Sequence, residues 1–162
     1  MSGLVALSAP APIDPVALRA KQEKLLEILR SLGSALVAYS GGTDSAYLAW
    51  AAKQALGDKA IAVTADSPSI PESHKRDAAK LAVEFGIRHE VIATYEFDNP
   101  LYAANNSDRC FHCKDELFKR LEEEGPRLGG SVIVYGVNVD DLGDYRPGQG
   151  AAKVHQVKAP LV

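Results

Sequence analysis

The chain has 162 residues, a length that suits one domain with a hydrophobic core of its own. Its composition (46% hydrophobic, 24% charged, two cysteines) is that of an ordinary globular protein and excludes a disulfide scaffold. The net charge of −3 argues against a dedicated nucleic-acid binder, and no apolar run reaches membrane-spanning length. The first residues lack the basic and apolar regions of a signal peptide, so we expect a cytoplasmic protein.

The N-terminal segment predicts an arm followed by a helix. Residues 1–13 are small and interrupted by prolines, which favours a flexible arm. Asp14 and Pro15 have the residue types of an N-cap and a first helical position. A helical stripe of apolar residues then predicts a helix to about Leu32, ended by Gly33. We therefore expect a flexible arm over 1–13 and one domain over 14–162.

The next stretch predicts a strand, a Gly-rich turn and a helix in direct succession. Residues 35–39 are an apolar run suited to a buried parallel strand, and Ser40–Ser45 interrupt it. A helix is predicted over 46–56, closed by Gly57. Such an arrangement binds anions, because the amides of the turn point outward and the helix dipole adds partial positive charge.

The residue types of this turn suit a phosphate and a cation together. Gly41 and Gly42 let an oxygen approach without a Cβ in the way, and Ser40 and Ser45 offer hydroxyl donors. The Asp44 carboxylate would repel a phosphate unless a divalent cation lay between them, which predicts Mg²⁺. No lysine follows the glycines, so the turn is not a Walker A loop. The alternative is an ordinary glycine turn with Asp44 or Ser45 as a helix cap.

Strands and helices continue to alternate after the turn. We predict a strand at 60–64, a helix at 72–85 and a strand at 89–92, which indicates an α/β protein with a parallel sheet and helices on both faces. Ligands of such sheets bind beyond the carboxyl ends of the strands, which brings Ser40–Ser45 beside Ala65–Ser69. Three basic residues in the first turns of the helix at 72–85 are expected to be surface charges: His74, Lys75 and Arg76.

A Cys-x-x-Cys pair marks the second informative stretch. A helix capped within Ser107–Asp108 places Cys110 in its first turn, where the helix dipole lowers the pKa of a thiol, and Arg109 and Lys114 act in the same direction. Cys110 and Cys113 suit a redox pair, half of a zinc site or two cluster ligands. They also suit two structural cysteines packed under the sheet, and the sequence leaves these alternatives open.

The last third predicts two strands joined by an acidic loop. Residues 132–136 read as a fourth strand and 154–159 as a fifth. Carboxylates between them, Asp141 and Asp144 in particular, are candidate Mg²⁺ ligands. Arg146 can bind a carboxylate or phosphate as a fork. The alternative is a polar loop of caps and turns.

Four segments of the sequence resemble motifs of known proteins. The turn at 40–45 resembles the SGGxDS signature of the PP-loop ATP pyrophosphatases, which cleave ATP between its α and β phosphates. The four segments are AYSGGTDS (38–45), TADSPSIP (64–71), NPLYAANNSDRCFHCK (99–114) and GVNVDDLGDYRPG (136–148). In this order they resemble the LarE family of ATP-dependent sacrificial sulfur transferases.

The resemblance implies a chemistry and its reactants. Family members adenylate a carboxylate of a pyridinium-type mononucleotide and replace the activated oxygen with sulfur, for the nickel-pincer cofactor of lactate racemase. The implied cofactors are ATP and Mg²⁺. An iron–sulfur cluster or a persulfide at Cys110 and Cys113 belongs to a variant of the family. We expect a homo-oligomer with no membrane partner.

Residue types and resemblance together nominate the site. For catalysis they nominate Asp44, Ser40, Ser45, Cys110 and Cys113. For ATP they nominate Ala38, Ser40, Gly41, Gly42, Thr43, Asp44 and Ser45, with Thr64 and Ala65 at the adenine edge. For the carboxylate substrate they nominate Arg109, Asp141 and Arg146, and for Mg²⁺ they nominate Asp44, Asp141 and Asp144.

Three other functions share parts of this pattern. An NAD- or GMP-synthetase-like amidating ligase has the same loop and adenylate, and a tRNA-thiolating enzyme adds paired cysteines. LarE proteins continue into a further helical region that carries the donor cysteine, so we expect this chain to be an N-terminal portion. A truncated, non-catalytic nucleotide-binding module is therefore the third alternative.

Overall fold

The computed structural model describes residues 11–140 and 147–162. Its helices are α1 (Pro15–Ser31), α2 (Thr43–Leu56), α3 (Glu72–Phe85), α4 (Pro100–Ala103), α5 (Arg109–Leu128) and α6 (Pro147–Val154). Its strands are β1 (Ala35–Ala38), β2 (Ala60–Asp66), β3 (Arg88–Ala93) and β4 (Ile133–Tyr135). The strands form one sheet in the order β3-β2-β1-β4, and each neighbouring pair is parallel.

The sheet is covered by helices on both faces, as predicted. Successive side chains of a strand point to opposite faces, and Val37 and Leu36 of β1 accordingly enter two different cores. One core lies under α1, α2 and α3, with Leu29 and Leu48 fully buried. The other lies under α5 and α6, where Phe118 is fully buried. This confirms the α/β class and a parallel sheet between two helical layers.

The predicted helices and the first four predicted strands are present, and their bounds shift at the turn after β1. Helix α1 begins after Asp14, whose Oδ1 accepts a hydrogen bond from Val16 N at 2.9 Å, as expected of an N-cap. Helix α2 begins at Thr43 rather than at residue 46, so Asp44 and Ser45 lie in its first turn. The predicted arm lies largely outside the described residues.

The predicted fifth strand is wrong. Pro147–Val154 is a helix, because Pro147 suits a first helical position and Ala151 and Ala152 pack their small side chains into the core beside α5. Beyond α6, Gln156 has a φ of +54°, which interrupts an extended backbone, and the segment makes only an isolated parallel bridge between Val134 and Lys158. The acidic loop at 141–146 lies outside the described residues.

A histidine joins α5 to the segment that follows α6. His155 contacts Asp115 Oδ1 through Nε2 at 2.8 Å and Glu122 Oε1 through Nδ1 at 3.0 Å. Burial alone would lower the pKa of His155, but the two carboxylates outweigh it and raise the pKa above its usual value. His155 therefore provides a charged contact between the two elements.

Across the described ranges, the longest helices carry too many charges to span a bilayer, and no candidate membrane span is found.

Candidate functional site

The turn after β1 is organised by its two serine side chains. Ser45 Oγ accepts a hydrogen bond from Ser40 N at 3.2 Å, contacts Ser40 Oγ at 3.1 Å and donates to Gly42 O at 3.1 Å. Ser40 Oγ in turn accepts from Gly42 N at 3.3 Å. Ser45 is 7% exposed, and its hydroxyl holds the turn in one shape at the start of α2.

Gly41 is required by the conformation and by the space around it. Its φ of +81° lies in the left-handed region that favours glycine. A Cβ at this position would lie 2.9 Å from the Cβ of Ala78 in α3. Tyr39, two residues before Gly41, also holds this part of the chain against α3, because its hydroxyl donates a hydrogen bond to Ala78 O at 2.8 Å. The turn is therefore pressed against α3.

The end of β4 supports the turn from the opposite side. A Cβ on Gly136 would lie 2.8 Å from Ser45 N and 2.9 Å from the carbonyl carbon of Asp44. Asn138 Nδ2 donates to Asp44 Oδ2 at 3.1 Å. Backbone contact at Gly136 and the hydrogen bond from Asn138 thus hold the start of α2 and orient the Asp44 carboxylate.

A cavity of about 350 Å³ opens at the carboxyl edge of the sheet, beside this turn. Six of the residues nominated from the sequence line it: Ala38, Ser40, Ser45, Thr64, Ala65 and Cys113. Six other nominated residues are not among the lining residues: Gly41, Gly42, Thr43, Asp44, Arg109 and Cys110. The structure thus brings the ends of β1 and β2 together at one cavity, as the parallel topology predicts.

Two of the three basic residues assigned to the surface line the cavity instead. Lys75 contacts Asp66 Oδ1 at 2.6 Å and Glu72 Oε1 at 2.7 Å, and its side chain is only 13% exposed. The hydrogen bonds that Lys75 donates to these carboxylates raise its pKa. His74 lines the same wall, and Arg76 is exposed. The cavity therefore has a cation at the start of α3.

The two cysteines occupy different environments at the start of α5. Cys110 is exposed, whereas Cys113 is partly buried and faces the cavity. Burial raises the pKa of the Cys113 thiol, and the negative charge of Glu96 adds to the effect. Asp108 occupies the predicted cap position but makes no side-chain cap hydrogen bond, and its Oδ2 contacts His112 Nε2 at 3.2 Å.

Arg109 is engaged within its own segment. Its guanidinium carbon lies 4.5 Å from the centroid of the Tyr102 ring, and Nη2 donates to the Tyr102 hydroxyl at 2.7 Å. Nη1 donates to Asn105 Oδ1 at 2.9 Å. The substrate role of Arg109 stays a prediction, as do those of Asp141 and Arg146, which lie outside the described residues together with Asp144.

Sequence reasoning missed a buried acid on the cavity wall. Glu96 is 2% exposed and accepts a hydrogen bond from Ser69 Oγ at 3.1 Å and another from Ser67 Oγ. It lies in a short turn after β3. The parallel topology places the end of β3 at the ligand-facing edge, and that signal could have drawn attention to it.

Within residues 11–140 and 147–162, no three His, Cys, Asp or Glu side chains are grouped to hold a metal ion. Asp44 alone suits Mg²⁺ that is also held by phosphate oxygens, because Mg²⁺ in such sites uses one or two carboxylates beside the substrate. The carboxylate lies in the first turn of α2, partly exposed, next to the turn amides. The donor chemistry of this turn therefore fits a magnesium–phosphate pair.

Known proteins match the chain in sequence and in fold. The NAD synthase family model matches residues 21–122. The uncharacterized Synechocystis sp. protein slr1717 is 44% identical over 144 residues, 89% of this chain and 54% of that protein. Pyridinium-3,5-bisthiocarboxylic acid mononucleotide synthase of Lactiplantibacillus plantarum is 29% identical over 132 residues, 81% of this chain and 48% of the synthase.

A solved structure gives the same fold independently. The glutamine-dependent NAD⁺ synthetase from Acinetobacter baumannii, in complex with ADP, superposes with a TM-score of 0.66 over 96% of this chain and 36% of its own. At 17% sequence identity this likeness shows the fold alone. The chain spans about half the length of the curated relatives it matches.

The turn between β1 and α2 has the sequence Ser-Gly-Gly-Thr-Asp-Ser, without the lysine of a Walker A loop. The NAD synthase family model includes this turn, and the match assigns the chain to the PP-loop, ATP-utilising class of proteins. The family model covers well over half of the chain. The chain belongs to the NAD synthase family, and the Lactiplantibacillus relative confirms the resemblance to LarE proteins within it.

Proposed function

We propose that residues 14–162 form an ATP-binding domain that activates a substrate carboxylate for sulfur transfer, with AMP and pyrophosphate as products. The turn at Ser40–Ser45 carries the proposal, because Ser40 and Ser45 line the cavity and the turn leads into the first residues of α2, where Asp44 lies. The Lactiplantibacillus synthase supports the choice of acceptor, a pyridinium mononucleotide carboxylate of the nickel-pincer pathway.

The proposed reaction depends chiefly on electrostatic stabilisation. An oxygen of the substrate carboxylate attacks the α-phosphorus of ATP, the bond to the bridging oxygen breaks, and pyrophosphate leaves with the electron pair. Amides of Gly41, Gly42 and Thr43 and the hydroxyls of Ser40 and Ser45 hold the leaving group. Mg²⁺ at Asp44 supplies positive charge to it. No general base is needed, because a carboxylate is ionised at neutral pH.

The position of Cys113 supports a sulfur step in the same cavity. The outer sulfur of a persulfide attacks the acyl carbon of the adenylate, and AMP leaves with the electron pair of the carbon–oxygen bond. A second thiol then attacks the inner sulfur, which breaks the sulfur–sulfur bond, releases the thiocarboxylate and leaves a disulfide. Cys113 lines the cavity that also contains the phosphate turn. We propose Cys113 as the side chain that carries this sulfur as a persulfide, with Cys110 beside it at the exposed end of α5. The two cysteines could hold an iron–sulfur cluster only together with further ligands, because such clusters use more than two thiolates.

Pyrophosphate exchange tests the proposal. The protein is incubated with ATP, Mg²⁺, labelled pyrophosphate and a pyridinium mononucleotide carboxylate. We expect label in ATP only when the carboxylate is present, because formation of the adenylate is reversible. Asp44→Asn should remove the exchange, whereas Asp58→Asn, an exposed acid paired with Lys53 far from the turn, should keep it.

Two further outcomes favour other functions. If ammonia is added to the same mixture, amide formation without any thiol would identify an amidating ligase, a function that the match to the NAD synthase family supports. ATP binding with no exchange under any condition would identify a non-catalytic nucleotide-binding module.

A further inference from the structure

Lys114 places a positive charge on the wall of the cavity. It directly follows Cys113 in α5, and both residues line the cavity. Within the part of the chain that the structure describes, the Lys114 ammonium makes no hydrogen bond or ion pair. Lys75 also lines the cavity, but Asp66 and Glu72 already neutralise its charge. Lys114 is therefore available to an anionic ligand.

The Lys114 side chain is confined by its neighbours. A Cβ on Gly148 would lie 3.0 Å from Lys114 Cγ, so the start of α6 rests directly on the aliphatic stem. The residue is half-buried, and Leu117, about one turn further along α5, lines the same cavity. A lysine that is confined before binding loses less side-chain freedom when it binds a ligand. This confinement favours a binding role over that of a solvated surface charge.

The substrate carboxylate is the reactant that still needs a cationic partner. In the proposed function the turn at Ser40–Ser45 binds the leaving pyrophosphate. Arg109 was nominated for the carboxylate from the sequence, but its guanidinium donates to Tyr102 and Asn105 and it is not among the lining residues. A lysine ammonium is a compact charge that binds carboxylates as well as phosphates. Lys114 can therefore bind this carboxylate inside the cavity.

The position of Cys113 indicates where the substrate carboxylate lies. The proposed sulfur step requires the acyl carbon to come within bonding distance of a sulfur carried by Cys113, and the carboxylate oxygens are bonded to that carbon. Burial and the charge of Glu96 raise the pKa of the Cys113 thiol, while the positive charge of Lys114 acts in the opposite direction, so the ammonium lies near the sulfur. A carboxylate presented to Cys113 is therefore also close to Lys114.

We propose that the Lys114 ammonium binds the substrate carboxylate and holds it for attack on ATP and then for attack by the sulfur at Cys113. This inference rests on the proposed function and names the residue that recognises the acceptor. A carboxylate offers the ammonium a full negative charge, whereas a carboxamide of the same shape offers only a carbonyl dipole. The site should therefore prefer a carboxylate to a carboxamide.

Calorimetric titration of two matched ligands tests the proposal. Pyridinium-3,5-dicarboxylate mononucleotide is compared with the corresponding dicarboxamide, in the presence of Mg²⁺ and α,β-methylene-ATP, whose bridging carbon prevents adenylation. For the unmodified protein we expect the dicarboxylate to bind about tenfold or more tightly than the dicarboxamide, since hydrogen bonds between charged groups are strong.

The variant Lys114→Met should lose most of this preference, because it removes the charge and keeps a stem that packs against Gly148. Lys114→Arg keeps the charge and should keep much of the preference. Lys119→Met is the matched control, an exposed lysine in the same helix, and should keep the ratio of the unmodified protein. The ATP analogue, titrated alone, should bind equally well to all these variants. Lys114→Gln decides the question if Lys114→Met does not fold.

Three results would overturn the inference, and they are distinguishable. If the neutral variants keep the ligand ratio of the unmodified protein, Lys114 does not bind the carboxylate, and weaker binding of the ATP analogue would then assign it to a phosphate. If the unmodified protein binds the ATP analogue but shows no preference between the mononucleotides, the inference fails and the proposed ATP site stands. If the unmodified protein binds neither the ATP analogue nor the dicarboxylate, the proposed function and this inference fail together.

Discussion

Replacing Gly41 by alanine should destabilise the fold far more than replacing its neighbour Gly42. The Gly41→Ala side chain enters a backbone with a φ of +81° and lies 2.9 Å from Ala78 Cβ. Gly42 has a φ of −68° and a ψ of 163°, which any residue adopts, and its added Cβ meets Ser40 Oγ at 3.4 Å, an ordinary contact.

The expected loss for Gly41→Ala is about 3 kcal/mol of unfolding free energy. A left-handed conformation costs an ordinary residue about 1–2 kcal/mol, and overpacking against a helix adds about 1–3 kcal/mol. The smaller entropy of the unfolded alanine chain returns about 0.4–1 kcal/mol. Gly42→Ala should change the unfolding free energy by less than about 1 kcal/mol, while lowering ATP affinity because its Cβ obstructs the proposed phosphate site.

Urea unfolding followed by circular dichroism measures both variants, and calorimetry measures ATP binding. Ala78→Gly removes the 2.9 Å contact but leaves the Cα of residue 78 at 3.1 Å. Measured in the background of Ala78→Gly, Gly41→Ala should therefore cost less than in the unmodified protein, with part of the packing loss and all of the conformational loss remaining. Equal stability losses for the Gly41 and Gly42 variants would refute the reasoning, because they would mean that the turn is not pressed against α3.

Three further predictions follow from the site and from α5. Asp44→Asn should abolish Mg²⁺-dependent ATP binding in calorimetry with little change in thermal stability, whereas the control Asp58→Asn should keep the binding. Unchanged ATP affinity in Asp44→Asn would remove the role given to Asp44. Iodoacetamide should label exposed Cys110 faster than Cys113, whose thiol pKa is raised, and ATP should protect Cys113 alone; mass spectrometry of peptides decides, and preferential labelling of Cys113 would contradict the structure. The pKa of His155 is raised in the folded state, so its contribution to stability is present below the unfolded pKa and is lost as pH rises through the folded pKa. The destabilisation caused by His155→Gln should therefore be larger near about pH 5 than near about pH 9, and a loss independent of pH would show that the charge contributes nothing.

Local patterns were sufficient to predict most of the fold. The apolar run at 35–38 and the glycine turn after it determine β1 and the start of α2 without help from the rest of the chain. Asp14 and Pro15 specify the start of α1 in the same local way. The predicted strand at 154–159 failed because α6 extends to Val154, Gln156 has a φ of +54°, and within the described residues only Lys158 of this segment bridges to β4. A left-handed turn at a glutamine is imposed by the folded chain, and no local pattern contains it.

The site was predictable only where its residues are close in sequence. The turn at 40–45 carries its chemistry within six residues, and the parallel topology then places the ends of β1 and β2 side by side. Glu96 and Lys75 reach the cavity through tertiary structure, since each is surrounded by residues that resemble ordinary surface positions in sequence. These two residues are notable because their charged side chains are largely buried, and such burial is a property of the folded chain that the local sequence does not show.

The identity of the bond cleaved in ATP tests the central claim most directly. The protein is incubated with ATP labelled at the α-phosphate, Mg²⁺ and a pyridinium mononucleotide carboxylate, and the labelled products are separated by chromatography. The turn at Ser40–Ser45 is proposed to hold the β and γ phosphates as the leaving group, so the label should appear in AMP and in the acyl adenylate, with pyrophosphate released in equal amount. Label in ADP, with release of inorganic phosphate, would contradict the account.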